Sequence, residues 1–190
     1  MIRWLVMGAV LLLPALSAAQ GLTVEGKSYN DTVTVASKAL YRLGAGVREK
    51  WMFNVYVMAA YSESGKCDPA TIIKADEVKY LRLDLLRNVS AEKMASTIGG
   101  SFKEHMPKNA PADLAVQRQT FESYFKDDCT KGTVLEFTYV PAIGTSIKQN
   151  GRELGPPLAG NGFMHVLWDI YFGSDTCCAG LKEEILKGCR

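Results

Sequence analysis

The chain has 190 residues, 47% of them hydrophobic and 22% charged, with a formal net charge of +2. That is ordinary globular composition and enough chain for one domain with a real core. The near-neutral balance, with no basic cluster interleaved with aromatics, excludes a nucleic-acid partner.

The first residues read as an export signal. Arg3 supplies a short positive region, Trp4 to Leu13 an uncharged apolar run, and Pro14 a break. Ser17-Ala18-Ala19 then places small residues where a signal peptidase reads. Residues 1–19 are expected to be a signal peptide and 20–190 the working domain, in a secreted or periplasmic protein. The apolar run is short for a membrane span, and no later stretch is long enough, so no stable span is expected after cleavage. Gln20 rather than Cys follows the site, which argues against a lipoprotein.

The next elements alternate. Gly21 to Tyr29 reads as a short strand with a turn at Gly26, and Val33 to Leu43 as another strand. Gly44-Ala45-Gly46 is no phosphate loop, because no Lys-Ser pair and no helix follow it. Its expected role is backbone freedom at a tight turn. Trp51 to Tyr61 is the clearest strand, with Val55, Val57, Ala59 and Tyr61 on one face and Tyr56, Met58 and Ala60 on the other. Both faces are apolar, so both are expected to be covered. Ser62 to Lys66 and Asp68-Pro69 read as loop.

Arg48 stands at the mouth of that strand, and no charge follows Lys50 until Glu63. Its planar fork suits a carboxylate or a phenolate. Tyr56 could donate a second hydrogen bond to the same anion.

Val78 to Leu86 alternates again, with Leu81, Leu83 and Leu85 opposite Tyr80, Arg82 and Asp84. Ser90 begins a helix whose apolar stripe is Met94, Ile98 and Phe102, weakened by Gly99-Gly100. Ala112 to Lys126 reads as a second helix and Gly132 to Val140 as a strand. Asn150-Gly151 signals a hairpin joining Thr145–Gln149 to Arg152–Leu154. Asn161 is placed to cap a helix from Gly162 to Phe172 that is apolar nearly all round and therefore buried. A short helix from about Gly180 to Lys187 ends the chain. The order is α+β with mostly antiparallel strands.

Five cysteines follow the leader: Cys67, Cys129, Cys177, Cys178 and Cys189. Export favours disulfides, and the odd count leaves one thiol over unless it pairs with another chain. Cys177-Cys178 with Cys189 could close the last helix, and Cys67 could meet Cys129; spacing does not settle the pairing. No Cys-x-x-Cys occurs and neither histidine has a partner at zinc spacing, so no metal is expected. His105 reads as a surface or capping residue. His165 reads as a core histidine, with axial ligation of haem iron as the sharper alternative. No nucleophile elbow or Ser-His-Asp set is present.

Several motifs recur together in order. They are Gly44-Ala45-Gly46-Val47-Arg48, Phe53 through Tyr61, Asn88-Val89-Ser90-Ala91-Glu92-Lys93-Met94, Lys131-Gly132-Thr133, Pro141 through Thr145, Asn150-Gly151-Arg152, and Phe163 with Trp168-Asp169-Ile170-Tyr171-Phe172-Gly173. In this the chain resembles the chalcone isomerase-like family, in its exported bacterial branch. The resemblance implies an open-faced β-sandwich, with a large antiparallel sheet, helices on one face and short strands on the other. In the plant enzymes the Arg matching Arg48 stabilises a phenolate oxygen during ring closure. In fatty-acid-binding proteins of the same fold it holds a carboxylate together with a Tyr.

The resemblance keeps Arg48 and replaces the rest of the catalytic set. Tyr56 stands where the enzymes have Thr. Ser90 and Thr97 fall near their Tyr and Asn, and Asp169 or Ile170 near their late Thr. It therefore implies a binding protein without a cofactor, for an apolar ligand with one acidic group, such as a fatty acid. Arg48 and Tyr56 would hold the anion, and Met52, Met58, Met94, Ile98, Phe102, Phe163 and Leu167 would line the cleft. The alternatives are an isomerase (intramolecular lyase) acting on a conjugated phenolic ketone with Arg48 as its catalytic residue, haem binding through His165, and an accessory role through protein contacts.

Overall fold

The computed structural model describes residues 21–189. The expected signal peptide lies outside them. Strands β1 (Leu22–Val24) and β2 (Lys27–Tyr29) form a small hairpin. Its two turn residues, Glu25 and Gly26, both have positive φ, as a two-residue turn between twisted strands requires.

The main sheet has seven antiparallel strands in chain order. They are β3 (Thr32–Val35), β4 (Lys38–Lys50), β5 (Phe53–Ser62), β6 (Lys79–Leu85), β7 (Val134–Val140), β8 (Gly144–Gln149) and β9 (Arg152–Glu153). Helices interrupt the strand order: α1 (Pro69–Lys74) follows β5, α2 (Ala91–His105) and α3 (Ala112–Glu122) follow β6, and α4 (Gly162–Phe172) and α5 (Ala179–Lys187) follow β9. No helix among the described residues is long and apolar enough to cross a membrane.

The strand alternation divides the core as the sequence predicts. Met58, Ala60, Leu81, Leu83, Leu85, Phe137 and Ile147 face the helices and pack on Phe102, Phe121, Phe163 and Trp168. Val57, Ala59, Tyr61 and Tyr80 face the other way, under Tyr29, Leu22 and Val24 of the small hairpin. Asp84 is buried on that second face. It accepts from the Tyr29 hydroxyl at 2.8 Å and pairs with both Arg82 Nε (2.9 Å) and Nη2 (3.0 Å). The hydroxyl of Tyr29 is thus the polar latch that holds the hairpin over the sheet.

Four expectations are corrected. The single strand over 33–43 is a hairpin, because Ala36 and Ser37 take positive φ with no Gly or Asn to announce the turn. The Asp68-Pro69 loop is the start of α1: Asp68 Oδ2 accepts from Thr71 N at 2.8 Å and Pro69 occupies the first turn. Gly44-Ala45-Gly46 is not a turn but lies inside β4, under α5. A Cβ on Gly44 would sit 2.0 Å from the Ile185 carbonyl oxygen. Finally, Cys67 bonds Cys189 rather than Cys129, and Cys177 bonds its neighbour Cys178. Cys129 is free and buried, with Sγ 3.8 Å from Gln149 Oε1. The first bridge ties the end of α5 to the loop after β5 across 122 residues, which removes roughly 5 kcal/mol of unfolded-chain freedom in the loop-entropy account.

Lys79 is fully buried in β6. Its ammonium donates to the carbonyls of Ile72 (2.5 Å) and Ile73 (3.2 Å) at the end of α1, and lies 5.3 Å from the centre of the Trp168 ring. Those carbonyls have no partner within so short a helix, so the cation closes it.

Two outcomes are expected. Gly44→Ala should destabilise the fold by about 1–3 kcal/mol, because backbone must move. Gly100→Ala, with open space at its Cβ, should be neutral or stabilise by up to about 1 kcal/mol. Urea unfolding of both variants checks the contrast.

Burial pushes Lys79 down to about 8, so the unfolded chain holds that proton more tightly. The penalty is full below pH 8 and lifts as pH rises toward 10.5. Tyr61, held up at about 12 chiefly by burial, acts oppositely, its stabilisation being lost as pH rises from 10 through 12. The other buried tyrosines act as Tyr61 does, so the Lys79 effect is read as a difference between two proteins. Relative to Lys79→Met, the wild type should gain about 2 kcal/mol of unfolding free energy from pH 8 to 10.

Candidate functional site

Arg48 and Tyr56 are direct cross-strand partners on β4 and β5, beside a bulge at Arg48/Glu49. Tyr56 rises on the helical face, where its hydroxyl meets that of Tyr171 on α4 at 3.4 Å. The Arg48 guanidinium stands directly across from Tyr56 and favours its ionised form, and its Nη1 donates to the Glu49 carbonyl.

Burial holds both phenols above their ordinary pKa. For Tyr56 the neighbouring Tyr171 adds to this and Arg48 opposes it; for Tyr171, Tyr56 and Arg48 both oppose it. Both therefore keep their protons at neutral pH. One fixed cation and two phenols, the Tyr56 hydroxyl donating to that of Tyr171, converge at one end of the sheet–helix layer. That set can hold a carboxylate or a phenolate.

Tyr171 was visible in the sequence only as one aromatic on an apolar helix. The signal available was its hydroxyl, which needs a polar partner once such a helix is buried.

Two arginines among the described residues have no carboxylate partner: Arg48, which is half-buried, and Arg87, which is exposed and stands over the Phe53 ring. Arg42 pairs with Asp31, Arg82 with Asp84, Arg118 with Glu122 and Arg152 with Asp127. Among the described residues, no carboxylate oxygen lies within 4.0 Å of the half-buried Arg48 guanidinium.

A cavity of about 340 Å³ opens beside it, lined by Arg48, Trp51, Cys178, Gly180, Leu181 and Glu184 among others. The Cys177–Cys178 disulfide forms one wall. Behind it, Thr176 Oγ1 donates to the carbonyls of Ile170 (2.8 Å) and Tyr171 (3.0 Å), which fixes the turn that follows Tyr171. Glu184 is the one acid on the cavity wall besides Glu49. Its Oε2 is occupied by the Val47 N–H at 2.7 Å.

The expected lining residues gather in a single core. Met58, Phe102 and Phe163 expose no surface, Leu167 and Met94 are buried, and Ile98 packs against them with Tyr56. Phe102 and Phe163 stack at 4.7 Å. No water-sized void touches the three fully buried side chains, so the sheet and helices are in close contact there. Met52 lies elsewhere, 92% exposed at the β4–β5 turn.

The histidines serve α4. His105 is not a surface cap; its Nδ1 lies 2.9 Å from Asp169 Oδ2 and joins α2 to α4. His165 is half-buried, contacts the Lys74 backbone, and is pushed below its ordinary pKa by burial and by Lys79. It does not line the Arg48 cavity. No group of three His, Cys, Asp or Glu side chains among the described residues is placed to hold a metal ion.

A profile described as "Chalcone isomerase-like" matches residues 21–187. Comparison with curated proteins gives no match. Among solved structures, a fatty-acid binding protein of Arabidopsis thaliana superposes with a TM-score of 0.73 at 17% identity, over 90% of this chain and 97% of that one. That likeness extends to the curled antiparallel sheet and its helical layer. The profile match spans nearly the whole described chain, and the chain belongs to the chalcone isomerase-like family.

Proposed function

We propose that the protein binds an apolar ligand carrying one acidic group, of the fatty-acid type, with the anion at Arg48. The observation that carries this is a half-buried guanidinium without a carboxylate partner, directly across from the phenol of a buried tyrosine pair. A buried cation normally has a counter-charge, and the missing one is supplied by the ligand. Both phenols donate best while neutral, which burial favours. The related fold of a fatty-acid binding protein supports the same class of ligand.

The apolar chain would run from Arg48 along Met58, Met94, Ile98, Phe102, Phe163 and Leu167. These side chains must part to admit it. Methionine suits such a wall, because its unbranched thioether repacks readily.

The working chain is placed outside the cytosol. The leader-like residues 1–19 support this, and so do two disulfides, which persist in oxidising compartments.

Dodecanoate and its methyl ester test the reading by calorimetry and native mass spectrometry. The acid should bind one per chain and the ester much more weakly. Arg48→Ala should weaken the acid by roughly ten- to a hundredfold, the factor expected for losing a charge-assisted hydrogen bond. Equal binding of acid and ester, or unchanged affinity in Arg48→Ala, would reject an anion site at Arg48.

A further inference from the structure

Six large apolar or aromatic side chains are exposed among the described residues, and three of them are consecutive. Trp51 (87%), Met52 (92%) and Phe53 (56%) form the outer end of the β4–β5 hairpin. Lys50 pairs with Phe53, so Trp51 and Met52 are the whole turn. Trp51 has φ of 65°. The positive-φ position of such a turn ordinarily takes Gly or Asn, and a bulky residue there is strained. The chain thus holds a strained tryptophan at a hairpin tip, where almost none of it is covered by the described residues.

A protein partner is a poor fit. Three side chains at a convex tip offer at most roughly 500 Å², below the ~800 Å² per side of a stable protein interface. Trp instead favours the headgroup layer of a bilayer, and Phe the boundary with the acyl chains beneath it. The cations beside them suit phosphate. Lys50 is exposed next to Trp51, and the Arg87 guanidinium lies 4.7 Å from the centre of the Phe53 ring. Long basic side chains reach outward from such a position. The opposing charges are Glu49 on β4, Glu184 across the cavity, and Glu25, which accepts from Asn54 Nδ2 at 3.1 Å.

We propose that this tip seats in the headgroup layer of a phospholipid bilayer. Trp51 also lines the Arg48 cavity, so docking sets the mouth of that cavity against the membrane. The inference goes beyond ligand binding and does not require it.

The chain has three tryptophans. Full-length protein carrying Trp4→Phe keeps only exposed Trp51 and buried Trp168 as emitters. It is mixed with vesicles of phosphatidylcholine and a minority of phosphatidylglycerol, brominated just below the headgroups. The expected result is a lipid-dependent blue shift and quenching of the exposed emitter. Met52→Ser should raise the lipid needed for half-quenching roughly tenfold, and Lys50→Gln with Arg87→Gln should raise it further.

Three results would overturn the proposal. One is protein that floats with vesicles while Trp51 stays unquenched, which marks attachment through another segment. Another is quenching unchanged by Met52→Ser. The third is a blue shift that grows with protein concentration in the absence of lipid, which marks a second copy as the occupant.

Discussion

The seating of α5 on β4 sets the geometry at the Arg48 end of the molecule. Two glycines let a helix backbone lie directly on a strand: a Cβ at Gly44 would meet the Ile185 carbonyl, and one at Gly46 would meet Glu184 at 2.6 Å. With side chains at those positions α5 would ride higher, and Glu184 would lose the Val47 N–H. The roof of the cavity would lift away from Arg48. The Cys67–Cys189 bridge holds the far end of the same helix. Small residues, a disulfide and one backbone hydrogen bond thus fix a wall that belongs to the site rather than to the core.

The distribution of charge follows from how each group is desolvated. On the hairpin face, Asp84 is compensated by Arg82 and the Tyr29 hydroxyl, which makes it a structural anion. On the helical face, Lys79 meets two carbonyls and an aromatic ring, which makes it a structural cation. Arg48 differs from both. It meets a neutral phenol across the strand pair and one carbonyl, so its field remains directed into the adjoining cavity. A buried ion pair needs good geometry to offset desolvation. A half-buried cation facing a cavity keeps part of its hydration and stays available to an anion.

Strand identity was legible because alternation is a period of two, and both faces of β5 and β6 had to be covered. The Asn150-Gly151 hairpin and the all-apolar α4 were legible for equally local reasons. The β3–β4 hairpin was not, because Ala36 and Ser37 take positive φ between the paired strands yet carry no turn signature. The Gly44-Ala45-Gly46 segment was misread for a related reason. A glycine chosen for close approach looks in sequence like one chosen for a turn. Arg48 and Tyr56 were placed by motif, and their register is direct. Tyr171 and the Cys177–Cys178 wall come from residues more than a hundred positions away, and only the packing of α4 and α5 brings them in. Lys79 was invisible, since a lysine in an alternating strand reads as solvated until α1 is laid across it.

The close-packed core limits how a ligand can be accommodated, and α2 is the element best suited to give way. It carries Met94, Ile98 and Phe102 over the sheet, so its movement opens the space beside Met58 and Phe163. Its middle holds Gly99 and Gly100, each worth about 1 kcal/mol of lost helix propensity relative to Ala. The two glycines are not equivalent. Gly99 admits the Glu122 side chain of α3, whereas Gly100 faces open space and makes no contact that needs its smallness. A pure packing demand would explain the first and not the second. Lowered local helix stability accounts for Gly100, because segments that open below the global unfolding free energy are those with weak internal support. α4 is the opposite case. It is buried along most of its length, and Tyr171 near its end meets Tyr56. The rigid helix carries the phenolic donor and the weaker helix carries the apolar wall. For the ligand class proposed above, that division would keep the anion site formed while α2 yields to the apolar chain.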